Sequence, residues 1–161
     1  MCKIRSIIEK YVFVVEMSGQ YPLLLKKRAL NAFKWAKRAF DEGDYDTCVR
    51  EAEYAVQLYV KSLIYRVSGE EVYGHNIRGL LGILASILLE NDFRGEAGKI
   101  IEYIKKHKRL LAELEDAHTR AVYGLIEYGE REAHMLLEIA RETIDLLKEI
   151  ESKVFGVKGE K

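Results

Sequence analysis

The chain has 161 residues, 48% apolar and 32% charged, which suits one soluble domain with a real buried core and gives no sign of a second. Its 26 basic and 26 acidic side chains cancel, so it has no overall field of the kind that draws basic proteins to nucleic acid or acidic lipid. No run approaches the ~20 apolar residues of a membrane span, and Cys2 and Cys48 have neither metal-ligand spacing nor the density of a secreted disulfide scaffold, so a cytoplasmic, membrane-free location is expected.

Residues 3–16 carry Ile4, Ile7, Ile8, Tyr11, Val14 and Val15 at helical steps, although Tyr11 to Val15 alone would suit a strand. Glu9, Lys10 and Glu16 interrupt this stretch, so it does not read as a signal peptide. Ser18-Gly19-Gln20 breaks the pattern, and Pro22 fits the first turn of a following helix, where its missing N–H is harmless. Residues 1–20 are therefore expected to form an extra N-terminal helix, residues 21–152 a bundle and residues 153–161 a frayed tail.

From about residue 23 to 40, Ala29, Ala32, Ala36 and Ala39 form a stripe of small side chains that permits close helix approach. Trp35 lies off that stripe and reads as a second packing surface, such as a subunit contact. Gly43 can adopt the left-handed conformation that stops a helix, and Asp44 or Asp46 can accept the orphan N–H bonds of the next. Val49, Ala52, Val56, Tyr59 and Leu63 then share one helical stripe, while Arg50, Glu53, Gln57 and Lys61 fall on other sides and are expected to stay wet. After Ser68-Gly69, the residues Ile77, Leu80, Leu81, Leu84, Ile87 and Leu88 make the next helix apolar over a wide, buried arc.

Residues 90–95 read as a loop. Ile100, Ile104, His107, Leu111, Leu114, His118, Ala121 and Leu125 then step by four and three without a break, which predicts one helix over residues 96–126. At 1.5 Å per residue it would reach roughly 46 Å, long enough to project or to pair with another subunit. Tyr128-Gly129 ends it, and Ala133, Leu137, Ala140, Ile144 and Leu147 mark a last helix. The fold class is all-α, an up-and-down bundle of five to six helices. Scarce Gln and Asn beside abundant Lys and Glu is a bias reported for thermophile proteins.

The order of these features resembles the HEPN domain family, small helical proteins often paired with minimal nucleotidyltransferases. The likeness lies in the Ala-rich residues 36–40, the turn Gly43-Asp44-Tyr45, the core Ala52-Glu53-Tyr54-Ala55 with Lys61 downstream, and Gly74-His75-Asn76 before Leu80-Leu81. Residues 117–124, AHTRAVYG, look like the family's later tyrosine segment. The resemblance covers roughly residues 25–150. It implies a HEPN-like bundle, a homodimer and a minimal nucleotidyltransferase as partner in a toxin–antitoxin-like pair.

Catalytic members of that family are RNases carrying an Arg, four to six residues, then a His, a pairing that joins a cation for phosphorane charge to an imidazole for proton transfer. None of His75, His107, His118 or His134 has an arginine at that spacing; Arg131 and His134 have two residues between them. No catalytic residue is therefore assigned, Arg131 and His134 being the only candidates, and the chain leans away from being an enzyme. The solvated face of an amphipathic helix, with Glu138, Arg141 and Asp145, also explains both residues and is the favoured reading over a site.

The sharper expectation is that Arg120 and Tyr123 meet Arg131 and His134 across the turn at Gly129 to bind a nucleotide phosphate or a partner's acidic site. Lys61 is expected to snorkel, Arg78 to be solvated and His75 to serve a structural role. No metal site is expected, because no His-x-x-x-His or paired Cys spacing exists, and no cofactor is expected. Two alternatives remain open: a metal-independent RNase acting on RNA through a displaced Arg–His pair, and a tetratricopeptide-like interaction module. Homodimerisation would use the long helix and the aromatics left over from one core, Trp35, Tyr54, Tyr59 and Tyr65.

Overall fold

The computed structural model describes residues 2–156, with side chains described from Gly19 onward. Six helices follow one another: α1 (Cys2–Asp41), α2 (Tyr45–Ser68), α3 (Ile77–Glu90), α4 (Arg94–Lys106), α5 (Lys108–Tyr123) and α6 (Glu130–Phe155). There is no strand among the described residues, and the expected all-α bundle stands.

The punctuation between α1, α2 and α3 follows local chemistry. Gly43 has φ +77°, in the left-handed region that a Cβ disfavours, and it closes α1. Asp44 caps α2 by accepting the Thr47 N–H at 3.2 Å, and Asn76 caps α3 by accepting the Gly79 N–H at 2.8 Å. Asp46 is free for another task. Its carboxylate accepts the Tyr128 N–H at 2.9 Å and ties the start of α2 to the loop before α6.

Helix α2 is the axis of the bundle, packed against α1, α3, α5 and α6. The expected stripe of Val49, Ala52, Val56, Tyr59 and Leu63 is buried, and so are Glu53 and Gln57. The expectation that this polar pair stays wet is corrected: a helix ringed by four neighbours has little dry-to-wet asymmetry left. Tyr59 also moves from the surplus aromatics into the core, where it is fully buried, and Tyr65 packs edge-on to Tyr21 with ring centroids 5.5 Å apart. The alanine stripe of α1 is buried as expected, Ala29 and Ala36 completely.

Several boundaries differ from expectation. No break occurs at residues 18–20, because α1 continues through Gly19 and Pro22. A proline inside a helix removes one hydrogen bond and crowds the preceding turn, a local cost that here does not end the helix. The proposed stripe from Ile4 to Val15 lies outside the described side chains. The loop after α3 shrinks to residues 91–93, with Asp92 at φ +66°.

The predicted long helix is two helices. His107, at φ −112° and ψ 21°, leaves helical geometry and separates α4 from α5. The apolar stripe continues across this residue, but the packing partner changes: α4 lies mainly on α3, whereas α5 lies mainly on α2. One straight rod cannot serve both. The basis for a projecting dimerisation helix therefore falls. Helix α5 also stops at Tyr123, where Gly124 turns extended at ψ 152°. A Cβ on Gly124 would sit 2.3 Å from the Arg120 carbonyl oxygen, so the turn requires glycine. At the other end α6 stays helical to Phe155, whose ring lies 3.8 Å beneath the Arg66 guanidinium, so residues 153–155 do not fray; residues 157–161 lie outside the described residues.

Candidate functional site

The four residues singled out from sequence fall into two groups. Arg120 lies over the Tyr128 ring at 4.2 Å and pairs with Glu132 at 3.0 Å. The turn at Gly129 thus brings Arg120 to a carboxylate of α6, and no described contact joins it to Arg131 or His134. Tyr123 ends α5 and is 79% exposed. Arg131 makes no ion pair among the described residues, and the His134 ring packs against Phe40 of α1 with centroids 5.8 Å apart. Arg131 and His134 share one shallow depression with Phe40, Glu130 and Met135. Further along α6, Glu138 pairs with Arg141 at 3.5 Å, as a solvated helix face does.

A second group was assigned no site role from sequence. On α2, Glu53, Gln57 and Lys61 repeat every four residues and form a single chain of hydrogen bonds. Gln57 Nε2 donates to Glu53 Oε1 at 2.8 Å, and Lys61 Nζ donates to Gln57 Oε1 at 3.1 Å. His75 enters from the loop before α3, its Nδ1 lying 3.1 Å from the same Gln57 oxygen. An ammonium only donates, so Lys61 fixes which end of the Gln57 amide is oxygen. His75 must then carry a proton on Nδ1.

Glu53, Gln57 and His75 line a cavity of about 240 Å³ between α2, the 69–76 loop and α5, with Glu115, His118 and Thr119 on the α5 side. Glu53 is 2% exposed, and burial pushes its carboxyl up to about 7 against the opposing pull of the Gln57 hydrogen bond and the Lys61 ammonium. Burial likewise holds Lys61 below its ordinary value, offset by Glu53 and Glu71. Arg78 is not solvated as expected. It grips Glu115 at the cavity edge, and the pair is neutral as a unit. The signal available in the sequence was the i, i+4, i+8 run Glu53, Gln57, Lys61 on a helix otherwise apolar on most sides.

Among the described residues, no group of three or more His, Cys, Asp or Glu side chains is placed to hold a metal ion. Among the described residues, no helix is long and apolar enough to cross a membrane. The family model described as HEPN domain matches residues 23–150. No curated protein and no solved structure matches the chain.

Proposed function

Since the chain belongs to the HEPN domain family, we propose that it acts by binding, as the non-catalytic, homodimeric partner of a minimal nucleotidyltransferase in a toxin–antitoxin-like pair. One observation carries the reading. Tyr123 at the end of α5 and Leu125 and Ile126 just after it are 79%, 103% and 76% exposed, three large side chains close in sequence and open to water. Solvent-facing clusters of this kind mark contact surfaces, and their burial on assembly is favourable at roughly 25 cal/mol per Å².

Arg131 and His134 lie on the next helix. They supply a guanidinium without an ion partner among the described residues and an imidazole, suited to a nucleotide phosphate or to the acidic metal-binding side chains of such a partner. Arg120, already neutralised by Glu132 and laid on Tyr128, shapes the turn rather than contacting the phosphate. Trp35 and Tyr54 are the aromatics left for contact between two copies.

Native mass spectrometry of the untagged protein from its own host is the test. A dimer carrying a second polypeptide of nucleotidyltransferase size, lost in a Leu125→Ser, Ile126→Ser variant, is the expected result; a monomer without any second chain overturns it. The RNase reading keeps one supporting observation, that Arg131 and His134 share a depression. Metal-free cleavage of RNA that disappears in His134→Ala would favour it.

A further inference from the structure

The zero net charge of the chain is an average, and α1 departs from it. Residues 22–40 hold Lys26, Lys27, Arg28, Lys34, Lys37 and Arg38 and no acid; the next carboxylate, Asp41, stands at the helix end. Lys26 is engaged by Glu151. The other five cations are exposed, and none has an ion pair among the described residues. Residues 105–109 make a second basic run of a different kind, laced with acids: His107 lies 3.8 Å from Glu142, and Arg109 pairs with Glu113 at 3.1 Å.

Helix α1 lies at the edge of the bundle, packed mainly on α2, with Ala29, Ala32 and Ala36 buried. At about 3.6 residues per turn, Leu24, Lys27, Arg28, Lys34, Trp35 and Arg38 fall on the opposite side, and all six are exposed. From Leu24 to Arg38 this face is about 21 Å long. Leu23 adds a second aliphatic side chain at its start, 49% exposed beside Leu24 at 40%. At the other end Trp35 and Arg38 meet the acids Glu42, Asp44 and Glu51, so attraction for an anionic partner is strongest between residues 24 and 34.

A soluble polyanion would use the cations alone. Leu23 and Leu24 have nothing apolar to enter along a phosphate backbone, and the Arg38 guanidinium already lies over the Trp35 ring at 5.2 Å, where a base would have to stack. A bilayer surface suits the whole set. Anionic headgroups take the cations, the acyl boundary takes the leucines, and the headgroup level suits an indole whose N–H stays wet. Lysine and arginine stems lie along the apolar layer while their charges stay at the phosphates. We propose that the outer face of α1 docks on an anionic phospholipid surface, lying in its plane without crossing it. This goes beyond the paired binding proposed above and does not depend on it.

Trp35 is the only tryptophan, so its emission reports on this face. The test titrates the full chain with vesicles of phosphatidylcholine containing one third phosphatidylserine, and with phosphatidylcholine alone, following co-sedimentation and Trp35 emission. Binding and a shift of the emission to shorter wavelength are expected with phosphatidylserine only, and both should weaken as salt screens the attraction. Each cation near such a surface is worth about fivefold in affinity. Lys27→Gln with Lys34→Gln should therefore lower affinity at least tenfold, by the same estimate. Lys105→Gln with Lys106→Gln, on the other basic run, should change it by less than about twofold. Leu23→Ser with Leu24→Ser should weaken vesicle binding and leave retention on heparin, a soluble polyanion, as it was. All the substituted side chains are exposed, so the variants should unfold at the parent's temperature.

Absence of vesicle binding, equal binding to both vesicles, co-sedimentation without a shift in Trp35 emission, or equal losses in the two lysine pairs overturns the assignment. So does a leucine pair that binds vesicles like the parent, which would leave only charge at work. Capture of a single-stranded oligonucleotide that is lost in Lys27→Gln with Lys34→Gln, with no vesicle binding, would give the face to nucleic acid instead. A lipid-free dimer that Trp35→Ala dissociates would give it to a second copy, since one face cannot serve both.

Discussion

Arg78, the second residue of α3, holds Glu115 in the middle of α5 through Nε at 2.9 Å and Nη2 at 3.0 Å, and its backbone N–H gives the same carboxylate a third bond at 2.7 Å. The clamp fixes the start of α3, and with it the loop that delivers His75 to Gln57. Charge-assisted bonds of this kind are worth more than neutral ones, though about a third of the Arg78 side chain is exposed and solvent screens part of the gain. Glu115→Ala is expected to cost about 2 kcal/mol in urea unfolding with an unchanged slope. Arg78→Lys should recover little, since an ammonium cannot reproduce the paired geometry. A Glu115→Ala protein as stable as the parent would show that the clamp is decorative.

Much of the fold was legible because helix ends are local chemistry. Gly43 with Asp44, and Asn76 ahead of an apolar arc, announce their caps within four residues. The break at His107 was hidden for the opposite reason. Periodicity records which side of a helix is buried and not against what, so the stripe from Ile100 to Leu114 reads the same whether it lies on one neighbour or changes from α3 to α2 halfway. The cavity was hidden for a related reason. Glu53 and Gln57 look like wet positions until α2 is known to have neighbours on every side, and the partner that makes a site of them, His75, stands 18 residues from Gln57.

Glu151 of α6 gathers three helices. It accepts from Lys26 of α1 and from the Tyr59 hydroxyl of α2 at 3.3 Å, with the Arg66 guanidinium 3.5 Å away, and it is 4% exposed. Removing the carboxylate leaves two cations, about a quarter exposed, without their anion. Glu151→Ala is expected to destabilise by about 3 kcal/mol, and Glu151→Gln by less because it keeps an acceptor. Thermal unfolding of the two variants side by side checks the order, and equal melting temperatures would contradict it.

Ala36 of α1 is fully buried against its neighbours, while Trp35, next to it, is 53% exposed beneath the Arg38 guanidinium at 5.2 Å. Leucine matches alanine closely in helix propensity, so Ala36→Leu isolates packing. The added methylenes must displace backbone, at about 1–3 kcal/mol. Trp35→Ala should change monomer stability by within about 0.5 kcal/mol. If Trp35 serves contact between copies, that variant should instead weaken association in sedimentation, and a loss of monomer stability as large as that of Ala36→Leu would place Trp35 in the fold.

Glu53 couples stability to pH in the sense opposite to an ion-paired carboxylate. Burial raises its folded value to about 7 from an ordinary 4.5, so the unfolded chain releases this proton first. Between those two values the folded state binds more protons, and stability from this residue falls as pH rises, the loss being complete above about 7. The span corresponds to up to about 3 kcal/mol, because one pH unit of separation is about 1.36 kcal/mol. Glutamine at this position has the same shape and no charge to bury. Glu53→Gln should therefore match the parent in stability near pH 4 and exceed it at pH 8, with a melting temperature higher by roughly 5–10 °C for a chain of this size. Measuring the difference between the two proteins cancels the other titrating groups. A difference that stays constant from pH 4 to pH 8 would mean that folding leaves the Glu53 carboxyl at its ordinary value.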